Sequence, residues 1–283
     1  MEASVEWLID QALAEDIGSG DLTSLYFVPA ERRATAFIVA REGGVMSGGV
    51  VAAEVFRRVD PELEVSFLVS DGDRISAGAY LMKVEGSARS MLTAERVALN
   101  FMQRMSGVAS ATRRYVDAVR GTRARILDTR KTIPAWRWLD KAAVRDGGGS
   151  NHRMGLYDRV MVKDNHLVAE GRLDELAEAI LRLKAEHPEV GVELEADRLD
   201  QVADFLGMAG VDYLLLDNMK LADLREAVAM RGERASPLLE ASGGVTLETV
   251  AGIAATGVDF ISVGAITHSV MALDLALDFV ERE

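Results

Sequence analysis

The feature that most restricts how this chain can fold is a change of rhythm after residue 125. From there, short apolar runs closed by polar residues or glycine alternate with helical segments. The runs are Arg125-Ile126-Leu127 before Asp128, Val160-Met161-Val162 before Lys163, and Gly191-Val192 before Glu193-Leu194-Glu195. They continue with Tyr213-Leu214-Leu215-Leu216 before Asp217, Leu238-Leu239 before Glu240-Ala241-Ser242, and Phe260-Ile261-Ser262-Val263 before Gly264. Between them the spacing predicts helices over 172–186, 197–209, 220–231 and 246–256. Such a succession calls for a parallel sheet covered by helices, an α/β fold. Six runs fall short of the eight strands of a closed barrel, so the expectation is an incomplete barrel, open on one side. Its functional face is then the rim formed by the strand C-termini.

The first part of the chain lacks this rhythm. Val5, Leu8, Ile9, Ala12 and Leu13 predict a helix over 3–16, stopped near Gly18. The EDIGSGDLTS stretch reads as helix exit plus turn. Strands are predicted over 34–42 and 63–69, a helix in SGGVVAAEVFRRV, and a strand-turn-strand in DGDRISAGAYLMKVEG. Residues 34–86 therefore make a small mixed domain. From Thr93 to Arg120 the pattern is helical, with Gly107 a candidate break into two helices. SVMALDLALDFVE reads as a closing helix. At 283 residues the chain suits a barrel plus a smaller domain. The expected division is 1–107, joined by the C-terminal helix 268–283, and 108–267 for the barrel that holds the active site.

Composition removes several function classes. A net charge of -13 argues against general nucleic-acid binding. No apolar run approaches a membrane span, and MEASVEWLIDQALAED does not read as a signal peptide. With no cysteine there is no disulfide, thiolate metal site or cysteine nucleophile. The expectation is a cytoplasmic protein without nucleic-acid or membrane partners. Against this acidic background Leu127 to His166 reverses sign, with eight Lys/Arg against five Asp/Glu. A local reversal of this kind points to a pocket for an anion.

The predicted rim carries the matching chemistry. Arg130, Lys131 and Lys163 follow the first two strands, Glu195 and Asp217 end the third and fourth, and Ser242-Gly243-Gly244 and Gly264-Ala265 end the last two. Glycines before a helix present backbone N–H groups to a phosphate. Arginine offers a planar fork for carboxylate or phosphate. A carboxylate pair suits Mg²⁺ or hydroxyls. Glu193 and Glu195 share one side of a strand, and Glu195, nearer the rim, is the better candidate for the ligand. Gly147-Gly148-Gly149 lacks the context of a nucleotide fingerprint and reads as a turn that brings Asn151-His152-Arg153 to the ligand. His152, Asp164 and His166 match no helical metal motif. Lys141 and Arg145 read as solvated or ion-paired, with Lys141 facing the site as the alternative, Trp136 and Trp138 as packing residues, and His187 as surface. For His268 a structural hydrogen bond is as good a reading as catalysis.

The phrases EDIGSGDLTS, TAERVALNFMQRMSGVA, DTRKTIPAWR, GGGSNHRMGLYD, VKDNH, VELE, LLLDNM, LEASGGV and ISVGAITHS stand in that order from Glu15 to Ser269. Together they give a chain that resembles the quinolinate phosphoribosyltransferase family over nearly its whole length. The resemblance implies an N-terminal α/β sandwich and an open, incomplete barrel of the type II phosphoribosyltransferase kind. It implies transfer of phosphoribosyl from phosphoribosyl pyrophosphate (PRPP) to quinolinate with loss of CO₂, giving nicotinate mononucleotide for NAD synthesis. Mg²⁺ would come with PRPP, and no organic cofactor is expected. By resemblance Arg130, Arg153, His152 and Lys131 hold the quinolinate carboxylates, with Thr129 in the substrate-binding set. Lys163 stands near the reacting groups, Glu195 and Asp217 face the ribose hydroxyls and Mg²⁺ indirectly, and Ser242, Gly243 and Gly264 meet the 5-phosphate. Arg96 would cross into the neighbouring subunit's site of a homodimer or a hexamer of dimers.

Two departures stand beside the expected quinolinate contacts: PAWR where PGLR is frequent, and Ile133 where Thr is. Three rivals remain in view. Intact DTRKT, NHR and KDNH argue against a molybdenum-operon paralogue. Two carboxylate clamps would be wasted on nicotinate alone, and a non-catalytic sensor need not keep Glu195 and Asp217.

Overall fold

In a computed structural model of the chain, residues 2–163 and 173–280 are described. The first residue of the helix expected over 172–186, Asp164 and His166, and residues 281–283 of the expected closing helix lie outside them. Along the chain the elements are α1 (Ala3–Ile17), α2 (Leu22–Phe27), β1 (Arg33–Ala40), β2 (Gly44–Val45), α3 (Gly49–Val59), β3 (Glu64–Phe67), β4 (Arg74–Ile75), β5 (Tyr80–Ser87) and α4 (Ala88–Ala118). Then come β6 (Arg125–Leu127), α5 (Arg137–Asp146), β7 (Arg159–Val162), α6 (Leu173–Glu186), β8 (Gly191–Ala196), α7 (Leu199–Leu206), β9 (Tyr213–Asp217) and α8 (Leu221–Arg231). The last are β10 (Leu238–Ser242), α9 (Leu247–Ala254), β11 (Phe260–Ser262), α10 (Ala265–His268) and β12 (Leu275–Phe279).

Two compact units emerge. Met1–Arg113, Thr132–Gly148 and Ile266–Glu283 form one; Arg114–Lys131 and Gly149–Ala265 form the other. The expected division at residue 107, with the C-terminal segment from 268 rejoining the first part, becomes a more divided pattern: the C-terminal segment does group with the first unit, and so do residues 132–148, with α5.

The first unit is built on an antiparallel sheet in the order β12-β1-β5-β3 and a two-stranded β2-β4 piece. Its core comes from β1 (Ala36, Ile38, Val39, Ala40), β5 (Leu81, Met82, Val84), α3 (Val55, Phe56) and the inner stripe of α4 (Met91, Ala94, Ala98, Met102, Met105). Several sequence expectations change here. The C-terminal segment is a strand, with Ala40 opposite Leu275 and Ala36 opposite Phe279, and not a helix. Leu273, Leu275, Leu277 and Phe279 alternate with Asp274, Ala276 and Asp278, and that period of two prevails over the helical spacing that also fits. Likewise α4 does not break at Gly107; a Cβ there would lie 2.2 Å from the Met271 carbonyl oxygen. Glycine serves close approach of the returning chain, and the helix runs through it.

The EDIGSGDLTS turn is followed by a short helix, α2, whose start is capped by Asp21 accepting from the Ser24 amide at 3.0 Å. The β4 and β5 strands exist but do not pair with each other; β4 pairs with β2, and β5 lies between β1 and β3. Trp136 stacks on Phe101 at 5.0 Å, as a packing residue should, whereas Trp138 is 39% exposed. Lys141, expected to be solvated or ion-paired, is fully buried on α5.

The second unit carries a six-stranded sheet in the order β6-β11-β10-β9-β8-β7, with every pairing parallel. All six expected strands are present. Among the described residues β6 and β7 stand at opposite edges, so the sheet forms an open, incomplete barrel. Each strand sorts its residues by the two-residue pleat. Val192, Leu194 and Ala196, Leu214 and Leu216, Leu239 and Ala241, and Ile261 are buried. Helices supply buried partners such as Val202, Phe205, Leu224, Ala227 and Val250. The alternate positions carry Glu193 and Glu195, Leu215 and Asp217, Glu240 and Ser242, and Ser262. Sequence alternation thus assigns the polar residues of four strands to one face.

Candidate active site

That face encloses a cavity of about 500 Å³ at the C-terminal ends of the strands. It is lined by residues of six strand ends: Thr129, Arg130 and Lys131 after β6, Met161 and Lys163 from β7, and Glu195 from β8. Leu215, Asp217 and Asn218 come from β9, Glu240 with Ser242-Gly243-Gly244 from β10, Ser262 from β11, and His152 and Arg153 from the loop before β7.

Local hydrogen bonds fix the entry loops. Asp128, fully buried at the end of β6, accepts from the His152 amide at 2.9 Å and from Asn151 Nδ2 at 2.5 Å. One carboxylate therefore ties the NHR segment to the strand that leads into Thr129-Arg130-Lys131. The Lys131 amide donates to Thr129 Oγ1 at 3.0 Å and tightens the turn. Arg153 donates to the Arg159 carbonyl at 3.1 Å, which holds its side chain along β7. Burial and the nearby Arg130 both disfavour its charge and draw its pKa down, while Glu193 and Asp158 act in the opposite sense. Two guanidiniums held close to one another make a site that gains when a dianion arrives.

Across the cavity Lys163 Nζ sits 2.5 Å from Glu195 Oε2. Asn218 donates to Asp217 at 2.7 Å. Gly243 has φ +98°, and a Cβ there would fall 2.2 Å from Asn218 Oδ1, so only glycine fits beside that amide. The Ser242-Gly243-Gly244 turn lines the cavity, and a glycine turn of this kind suits phosphate.

His152 is buried with its Nε2 3.1 Å from Glu193 Oε2 and 3.4 Å from Glu240 Oε1. Burial disfavours the imidazolium, but these carboxylates outweigh it and push the pKa up to about 9. Glu193 is itself raised, first by burial and then by Glu240. Burial also acts against the Glu240 anion, yet the nearby His152 imidazole and the hydrogen bond from Ser262 prevail and lower its pKa.

Of the residues expected from sequence, Thr129, Arg130, Lys131, His152, Arg153, Lys163, Glu195, Asp217, Ser242 and Gly243 come together in this cavity. Gly264 follows β11 but is not a lining residue, and Arg96 lies exposed on α4 in the first unit. Met161, Leu215, Asn218, Glu240 and Ser262 line the cavity without having been singled out. For Glu240 the signal was present: it stands two residues before Ser242 on one strand and so shares its face.

An open parallel barrel whose strand ends gather two arginines, two lysines, three carboxylates and a glycine turn belongs to the class that handles multiply anionic phosphorylated substrates. Comparison with known proteins narrows the class. Residues 21–106 match the family described as "Quinolinate phosphoribosyl transferase, N-terminal domain", and residues 108–278 match "Quinolinate phosphoribosyl transferase, C-terminal domain". The chain is 45% identical over 274 residues to the nicotinate-nucleotide pyrophosphorylase [carboxylating] of Mycobacterium leprae, covering 95% of each. It is 43% identical to the mitochondrial quinolinate phosphoribosyltransferase [decarboxylating] 2b of Nicotiana tabacum, covering 94% of this chain and 79% of that one. A solved nicotinate-nucleotide pyrophosphorylase from Francisella tularensis superposes with a TM-score of 0.90 at 38% identity, covering 98% of this chain and 96% of that one. The chain belongs to the quinolinate phosphoribosyltransferase family and has its type II phosphoribosyltransferase fold.

Proposed function

We propose that the strand-end cavity transfers phosphoribosyl from PRPP to quinolinate with decarboxylation, and that its two sides divide the work. The enzyme yields nicotinate mononucleotide, pyrophosphate and CO₂ in NAD synthesis. The observation that carries the division is where the charges come from: Arg130, Lys131 and Arg153 from the two loops that Asp128 ties together, Glu195, Asp217 and the Ser242-Gly243-Gly244 turn from the ends of β8, β9 and β10.

On the first side Arg130, Arg153 and Lys131 bind the two carboxylates of quinolinate, with His152 beneath them and Thr129 bracing the turn. On the second, Glu195 and Asp217 orient the ribose hydroxyls, and Ser242 and Gly243, with Gly264, receive the 5-phosphate. Glu195 and Asp217 are hard oxygen donors on adjacent strand ends, which fits a hard cation arriving with PRPP. Mg²⁺ carried by the pyrophosphate supplies charge neutralisation for the leaving group. The quinolinate ring nitrogen then attacks C1 of the ribose as pyrophosphate departs. The ring nitrogen becomes cationic, and only then is the electron pair left at C2 by departing CO₂ stabilised; a proton completes C2. Transfer therefore precedes decarboxylation. Cations that gripped the carboxylates equally in ground and transition states would not accelerate this step, so Arg130 and Arg153 bind and orient, whereas Lys163 acts on developing charge.

Arg96 completes the neighbouring subunit's site in a homodimer or a larger assembly of dimers, and the lack of cysteine supports a cytoplasmic location. Among the described residues no helix is long and apolar enough to cross a membrane.

The test supplies PRPP and Mg²⁺ with either quinolinate or nicotinate and follows nicotinate mononucleotide and CO₂. Equal amounts of both products from quinolinate are expected; product from nicotinate alone defeats the reading. In the same assay, Arg96→Ala mixed with Lys163→Ala regains partial activity if sites are shared.

A further inference from the structure

Below the rim lies a second layer of charge that the sequence did not disclose. His152, Glu193 and Glu240 each offer a ligand-type atom, all within 4.8 Å of one another, and all three side chains are buried. They come from different elements: the loop before β7, β8 and β10. Ser262 on β11 donates to Glu240 Oε1 at 2.5 Å. Arg159 on β7 approaches Glu193 Oε2 at 3.7 Å while its guanidinium lies 4.1 Å over the Tyr213 ring. On its own loop the His152 amide donates to Asp128, and the neighbouring Arg153 faces Arg130.

Charge balance decides what such a cluster must be. Two buried carboxylates face the Arg159 guanidinium, with Arg153 close to Glu193, and an uncompensated charge in this setting is costly. With both carboxylates ionised, a cationic imidazole brings the histidine, the two glutamates and Arg159 to neutrality, and the upward shift of Glu193 marks the same demand for a proton in the cluster. One contact opposes the cationic form, since Nδ1 accepts from the Arg153 amide at 2.6 Å. That contact joins neighbours in the chain and is imposed largely by covalent geometry. The two carboxylates at Nε2 are the stronger demand, so Nδ1 takes the second proton by a small turn of the ring.

We propose that Glu193 and Glu240 are positioning residues that hold His152 in its cationic form, so that the floor of the quinolinate pocket carries no net negative charge. Neither is assigned a contact with the reacting atoms; Glu240 also lines the cavity, and both act through His152. The inference rests on the quinolinate reading of the cavity. Its direction with pH is fixed: losing the His152 proton adds one negative charge beneath the dianion, whatever the starting charge. The KM for quinolinate then rises as pH passes through the His152 pKa, near 9 in the native chain. Removing one carboxylate moves that rise to lower pH.

The test has two arms. In the first, ¹⁵N NMR follows the His152 ring in the unliganded protein, with His152→Gln assigning the signal. The native ring is expected to titrate near 9. In Glu240→Gln and, separately, Glu193→Gln, it moves toward the ordinary range near ~6.5. In the second arm the KM for quinolinate is measured from pH 6 to 9.5 in each protein that melts cooperatively. By pH 8, Glu240→Gln should show a KM about tenfold above its low-pH plateau, while the native value stays flat. Two carboxylate variants keep the test open if one fails to fold. A native ring titrating near 6.5 overturns the proposal. So does a shifted ring titration with an unmoved KM profile in both variants. The NMR arm needs no substrate, so failure of the quinolinate reading would appear as absent turnover beside an intact titration.

Discussion

The two ends of the same barrel use the same residue types to opposite ends. At the N-terminal ends of the strands charges are paired off and tied into the backbone. Asp259, before β11, is held by Arg231 and by Arg123 at 2.6 Å, and accepts from the Leu239 amide at 2.9 Å. Asp212, before β9, takes Lys184 at 2.6 Å and the Val192 amide at 2.8 Å. Each carboxylate stitches the entry of one strand to the next. At the C-terminal ends, Arg130, Lys131, Arg153, Lys163, Glu195 and Asp217 line a cavity, even where they pair with one another as Lys163 and Glu195 do. The lesson is that charge and composition do not separate structural from functional ionic groups here; strand direction does.

That contrast can be broken from either end. The largest effect is expected from Asp259→Ala, which leaves the nearly buried Arg231 without its partner. A loss of about 3–5 kcal/mol is expected in chemical denaturation, with kcat/KM of the remaining folded enzyme within about threefold. A stable but inactive protein would show that the N-terminal end also serves catalysis. A smaller, differently placed effect is expected from Arg153→Ala. The KM for quinolinate should rise about 10- to 100-fold, from loss of charge-assisted hydrogen bonds to a carboxylate, with the KM for PRPP nearly unchanged. Steady-state kinetics with each substrate varied separately checks this, and a rise confined to PRPP would exchange the two sides of the cavity.

Much of this was legible before any coordinates. The six barrel strands read clearly because parallel strands covered on both faces appear as short apolar runs. The rim residues read clearly because those runs stop where the functional face begins. Other features were hidden for definite reasons. The strand β12 carries apolar residues that satisfy periods of both two and 3.6, and only pairing with β1 decides between them. Gly107 looked like a helix breaker because the sequence does not show which chain will pack against it. Lys141 looked like an ordinary helix-surface cation, yet it is fully buried. Glu240 follows the apolar pair Leu238-Leu239 on the face that Ser242 marks, two residues inward from the rim, where the strand alternation alone does not set it apart from a core position. The return of residues 132–148 to the first unit depends on long-range contacts that no local pattern encodes.

The most direct test of the central claim, that the C-terminal strand ends carry the chemistry and not merely the binding, is the kinetics of Lys163→Ala. The Lys163 ammonium lies within the cavity beside Glu195 and is the group assigned to developing charge. The account predicts a fall in kcat of roughly 10²- to 10³-fold with quinolinate and PRPP saturating, and little change in melting temperature. An unchanged kcat with only a raised KM would reduce Lys163 to a binding residue and contradict it.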